Sequence, residues 1–172
     1  IARQARALSR PRLELTLGLG HDSDDNNSAW QTLGTSFIAA DGFRVFGSVG
    51  AFEASDPVQD GTRLSGEVGA SWLHGNLGVT AAVGGRRLAS DFGTDRSLGT
   101  WRGSASLRLS PSAGVGIGYG HSSFDETALL LGRDLDLDEV SAEADLNLGH
   151  STTLGAGAGL GYLSDDNQRR SL

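Results

Sequence analysis

The stretch RLELTLGLG, residues 12–20, places Leu13, Leu15, Leu17 and Leu19 at every second position, with Arg12, Glu14, Thr16 and Gly18 between them. Side chains along a β-strand point alternately to opposite faces, so this period of two predicts a strand with one apolar and one polar side. The alternation returns in RLSGEVGASW (63–72), where Leu64, Val68, Ala70 and Trp72 oppose Arg63, Ser65, Glu67 and Ser71. It returns in TWRGSASLRL (100–109), where Trp101, Ala105, Leu107 and Leu109 oppose Arg102, Ser104, Ser106 and Arg108. FRVFGSVGA, LGVTAAVGGR, AGVGIGYGH, VSAEADLNL and TLGAGAGLGYL repeat it, and WQTLGTSFIAA does so more noisily. The reading is about nine strands of roughly 9–11 residues, the length a tilted strand needs to cross a bilayer.

Connections between these runs alternate in length. HDSDDNNSA, EASDPVQDGT, LASDFGTDRSLG, SSFDETALLLGRDLDLDE and SDDNQRR are the longer ones, and AADG, LHGN, SPSA and GHST lie between them. Tight turns at one rim and longer loops at the other are the mark of an antiparallel up-and-down transmembrane β-barrel of the bacterial outer membrane. A sheet in lipid has to close, and single-chain bacterial barrels close with an even strand number. The expected fold is therefore all-β, an incomplete, N-terminal part of a larger barrel, with a small barrel of eight or ten strands and an irregular end as the second reading. Residues 11–172 are assigned to the barrel, and residues 1–10 are read as a linker ahead of the first strand.

Composition restricts the alternatives. The 172 residues include 26 Gly, no Cys and no Met, with a formal net charge of −7. Without cysteine there is no disulfide framework or thiolate metal site. An excess of Asp and Glu over Lys and Arg argues against nucleic acid as a partner. SDDN occurs twice, at 23–26 and 164–167. Asp22, Asp24 and Asn26 match the first, third and fifth places of an EF-hand, but Asn27 and Leu33 stand where that loop needs Gly and Glu, so no metal site is assigned. Both SDDN copies are read as strand ends on the long-loop rim.

Ten charged residues share the polar parity: Arg12, Glu14, Arg44, Arg63, Glu67, Arg86, Arg102, Arg108, Glu143 and Asp145. That many charges need water, which a lumen supplies and a packed core does not. They are expected to face a lumen as possible ligand contacts, each also able to form a salt bridge with its neighbours. Six aromatics, Trp30, Phe43, Trp72, Trp101, Tyr119 and Tyr162, are assigned to the membrane interface, where amphipathic rings sit at headgroup level. The partner this implies is outer-membrane lipid. Glycines at 114, 116, 118 and 120 and at 155, 157, 159 and 161 form two rows of the polar parity that leave room.

Two features interrupt the rhythm. Leu135 and Leu137 have one parity and Val140, Ala142 and Ala144 the other, which predicts a bulge near Asp138 and Glu139. The preceding DETALLLGR has Asp before a cluster of helix formers, predicting a short helix that Gly132 ends and that packs on the rim or inside the lumen beside the glycine rows. His21, His121, Ser122 and Ser123 lie near the long-loop rim, and a Ser–His–acid set there would make a rim hydrolase or acyltransferase. No nucleophile elbow or HExxH pair accompanies them, so no catalytic residue or cofactor is assigned and the chain is not read as an enzyme.

DETALLLG (125–132), then an acidic-apolar strand, then GYLSDDNQR (161–169), resembles the C-terminal β-barrel of the tetratricopeptide-repeat exopolysaccharide export proteins, which serve cellulose and poly-N-acetylglucosamine secretion. IARQARALSRPRLEL at the start looks like the end of a last repeat helix running into a first barrel strand. Asp166 stands where the family pattern leads one to expect Gly. The resemblance implies a passive conduit for an exported polysaccharide, with periplasmic secretion components as partners of upstream repeats. The other reading is a non-conducting barrel that anchors a periplasmic domain.

Overall fold

A computed structural model describes residues 11–21, 26–91, 93, 95–125, 127–133, 135–148 and 152–171. Ten strands follow one another as β1 (Arg12–His21), β2 (Asn27–Ala40), β3 (Phe43–Ser55), β4 (Asp60–His74), β5 (Leu77–Ser90), β6 (Arg96–Ser110), β7 (Ala113–Ser123), β8 (Asp136–Asn147), β9 (Thr153–Leu163) and β10 (Gln168–Ser171). One short helix, α1 (Ala128–Leu131), lies between β7 and β8. Each strand pairs antiparallel with its chain neighbour, giving a single ten-stranded meander in which β1 and β10 are the open edges. The tenth strand goes beyond the nine expected, and it begins at Gln168, inside the SDDNQRR stretch read as a connection.

Strands up to 15 residues long absorb much of what the sequence assigns to loops. The connections 41–42, 75–76 and 111–112 are two-residue turns, and Gly42 and Gly75 adopt φ of 69° and 58° there, the left-handed geometry that tight hairpins use. The opposite rim carries the connections from β1 to β2, β3 to β4, β5 to β6, β7 to β8 and β9 to β10. Asp22 and Asp24 fall outside the described residues, as do the first ten.

Register fixes the faces. Leu13, Leu15, Leu17 and Leu19 pair with Thr35, Leu33, Gln31 and Ala29, and the same face continues through Val49, Val68, Val83, Ile117 and Leu154. Among the described residues the buried apolar side chains are Ala54, Ala82, Leu88, Ala128, Leu131 and Leu137. None of the six lies on the leucine face: four are on the polar face of the sheet and two on α1. A soluble sandwich would bury its apolar face against a second layer; here that face stays bare, with Leu19 85% exposed. Such a belt is suited to lipid.

β8 shows no bulge. Its pairing with β7 runs unbroken from Ala113↔Leu146 to Ser123↔Asp136, so Leu137 turns to the polar face and Asp138 to the apolar one. Leu137 is tolerated inward because Gly161, its close neighbour on β9, leaves space that a Cβ would fill, 2.7 Å from Leu137 Cδ1.

Candidate functional site

All ten charged residues expected on one face are on one face. Arg12 and Glu14 of β1, Arg44 of β3, Arg63 and Glu67 of β4, Arg86 of β5, Arg102 and Arg108 of β6, and Glu143 and Asp145 of β8 share a single parity through the register. The face is hollow: Arg12 and Glu14 on β1 and Arg102 on β6 line one cavity of about 430 Å³, together with Arg44 and Glu67.

The charges are not paired strand to neighbouring strand. Arg102 donates to Glu67 twice, from Nε and Nη2, each at 2.8 Å, reaching across the whole of β5. It can do so because β5 presents only Ala82 and Gly84 at that level. The two-pronged geometry fixes the guanidinium plane, and the ring of Phe46 lies 5.7 Å from its centre. Arg12 and Glu14 approach only to 3.9 Å and are both well exposed, so that contact holds little.

The 124–135 connection folds over this face. Asp125, its side chain 3% exposed, accepts hydrogen bonds from Arg63 Nη1 and, at 3.1 Å, from Arg86 Nη1, and Ser123 Oγ donates to the same carboxylate. Arg86 also donates to the Ser123 carbonyl at 3.1 Å. A carboxylate this buried is stable only if ionic and hydrogen-bonding partners surround it, and three strands, β4, β5 and β7, supply them. Beyond the clamp, Ala128 and Leu131 pack on Ala54 and Leu88, with Phe52 alongside. Gly61 makes room, since a Cβ there would meet Leu131 Cδ1 at 2.8 Å.

The expected short helix is present but differs in two respects, its cap and its resting place. Its N-cap is Thr127, whose Oγ1 accepts from the Leu130 amide at 3.3 Å, and not Asp125. It has four residues and ends at Gly132 as expected, though Gly132 is right-handed. It rests on β3, β4 and β5 rather than beside the glycine rows. The start of the first row, Gly114 and Gly116, is occupied otherwise. Glu143 lies against Gly116 and Asp145 against Gly114, so that a Cβ on either glycine would sit within 2.7 Å of a carboxylate oxygen.

Of the six interface aromatics, five are on the apolar face. Phe43 and Trp72 sit directly opposite one another at the two-residue-turn rim. Trp101 and Tyr119 pack with ring centres 4.8 Å apart, and Tyr162 pairs with Asp138. Trp30 is the exception: its partners are Gly18 and Phe52, both of the polar parity, so it belongs to the hollow. The Ser–His–acid set is not assembled. His121 Nδ1 is 3.0 Å from Asp138 Oδ1 on the apolar face, whereas Ser123 bonds to Asp125, and His21 to Asn27.

The fold is that of the outer-membrane β-barrels. An anion-selective porin from Comamonas acidovorans superposes with a TM-score of 0.57 at 12% identity, over 87% of this chain and 49% of the porin. The toluene transporter TodX of Pseudomonas putida superposes with a TM-score of 0.50 at 13% identity, over 90% of this chain and 64% of TodX. The chain thus spans about half of the porin and less than two thirds of the transporter. No protein-family model and no curated protein sequence matches it. These likenesses carry the barrel and not the tetratricopeptide-repeat export family.

Proposed function

We propose that this chain forms part of the wall of a passive outer-membrane channel, lined by the mixed-charge face and narrowed by the segment that Asp125 ties down. The observation that carries this reading is the Arg63–Asp125–Arg86 clamp. A connection that only decorated the outside of a barrel would have no reason to bury a carboxylate between two arginines of the polar wall. Further strands close the two edges, because unpaired backbone groups in hydrocarbon cost several kcal/mol each. The exported compound is a polysaccharide. Alternating arginine and carboxylate groups hydrogen-bond sugar hydroxyls without imposing a single-sign filter, and the residues that carry the resemblance to exopolysaccharide exporters, Asp125, Ala128, Leu131 and Gly132, are those that build the crossing segment.

Planar-bilayer recording of the full-length protein tests this. Asp125→Asn, and separately a deletion of residues 127–132, should raise single-channel conductance. Unchanged conductance from correctly assembled protein would make the segment an external loop, and a silent wild type would favour the anchor barrel.

A further inference from the structure

We propose that Trp30 is a stacking platform for the pyranose rings of a neutral sugar chain, at the long-loop end of the hollow. This rests on the channel reading above and names a contact within it.

The indole is laid flat. A Cβ on Gly18 would fall 2.0 and 2.1 Å from two of its ring carbons, and one on Gly20 would fall 3.6 Å from a third, so one face of the ring lies along the β1 backbone. Covering Gly18 and Gly20 accounts for that face. The other is turned to the hollow, and the residue keeps 37% of its surface exposed. The surrounding positions of the polar face are Thr16, Ser28, Thr32, Gly50, Phe52 and Ala54, none of them charged. Sugar rings suit such a site: their C–H faces carry the partial positive charge that the negative face of an aromatic ring attracts, and their equatorial hydroxyls reach neighbouring Thr and Ser. A charged solute has no counter-charge at these positions, and a hydrocarbon leaves their hydroxyls unused.

The platform also has a position along the passage. Phe52, directly across from Trp30, carries the Arg63 guanidinium 4.7 Å above its ring, and Arg63 holds Asp125. A ring stacked on Trp30 therefore lies beside the crossing segment, where a polymer is held before or after it passes the narrowing.

The test uses the full-length protein and cellohexaose in two readouts. In planar bilayers, cellohexaose should block the current, and Trp30→Ala should raise the half-blocking concentration about tenfold, a modest loss of contact free energy. Trp30→Phe, which still covers Gly18, should raise it less, and Trp72→Phe should not alter it. In detergent, a Trp72→Phe/Trp101→Phe protein leaves Trp30 as the indole of this segment, and its emission should change saturably with cellohexaose, with Trp30→Phe in that background as the blank. A conducting channel that Trp30→Ala and Trp30→Phe leave equally blocked, with no emission change, overturns the platform and leaves the channel standing. A sugar-dependent emission change from a non-conducting protein supports the platform and removes the channel. A stronger response to benzyl alcohol than to cellohexaose overturns the sugar assignment.

Discussion

The Asp166 amide donates to the Leu163 carbonyl at 3.1 Å, and it does so from a backbone with φ of 66°. The 164–167 turn is thus built on a left-handed residue, the geometry for which glycine carries no steric penalty. Glycine is the residue such a backbone favours, and an aspartate occupies it here.

Asp166→Gly should consequently be neutral or stabilising, by up to about 1 kcal/mol, since relief of the left-handed strain outweighs the added freedom of the unfolded chain. Urea unfolding in detergent measures it. A loss of stability would mean that the Asp166 side chain contributes more than its backbone suffers.

Faces can be tested on β6. Ala105 pairs with Val79 and Ile117 on the apolar side, while Ser104 pairs with Thr80 and Gly118 on the polar side. Ala105→Arg should cost about 2–4 kcal/mol, the penalty for a cation near the bilayer midplane. Ser104→Gln should be nearly neutral in the same unfolding assay, and a reversed order would invert the faces.

Topology is open to labelling. Cysteines at Val58 and Asp165, both exposed on the longer-loop rim, should react on intact cells with an impermeant thiol reagent. Cysteines at Asp41 and Asn76, in two-residue turns, should react only after permeabilisation. Equal rates at both rims would show the orientation to be wrong.

Asp56, in the 56–59 connection, provides a pH test away from the membrane. Its carboxylate accepts from the Val58 amide at 2.8 Å and from the Gln59 amide at 2.9 Å, and the Val58 bond, followed by those to Gln59, holds its pKa below the ordinary value despite some loss of hydration. A depressed folded pKa means that the turn gains stability above the unfolded value, about 3.9, and loses it as pH falls through the lower folded value. The Val58 amide resonance should shift with an inflection below about pH 3.9, and Asp56→Asn should abolish the inflection.

Legibility followed the strength of the alternation. Where a strand carried four or more clean alternating pairs, as in residues 12–20 and 100–109, its face could be read from the sequence, and the charged wall with it. In β2, Trp30, Leu33, Phe37 and Ile38 are spread over both parities, and only pairing with β1 decides that Leu33 is outside and Trp30 inside. A tryptophan reads as apolar whichever way it points. Apolar side chains of the polar parity near one rim, Phe52, Ala54, Leu88 and Leu137, were the available sign that something docks there. In the sequence Leu137 reads as a break in register, because a bulge and an inward apolar patch leave the same trace in one dimension. The clamp was not legible, since nothing local links residue 125 to residues 63 and 86.

That distance along the chain bears on how the protein assembles. Every strand pairs with its immediate successor, so the meander grows by short loop closures, whereas Asp125 reaches partners 62 and 39 residues back. Long closures cost more entropy and come late. When Asp125 arrives, it finds Arg63 and Arg86 on the same side only if β4 and β5 have paired correctly. A slip of one residue in β5 would send Arg86 to the opposite face and leave the carboxylate with Arg63 and Ser123 alone. The clamp therefore serves as a proofreading step, closing fully over hairpins that have assembled in register.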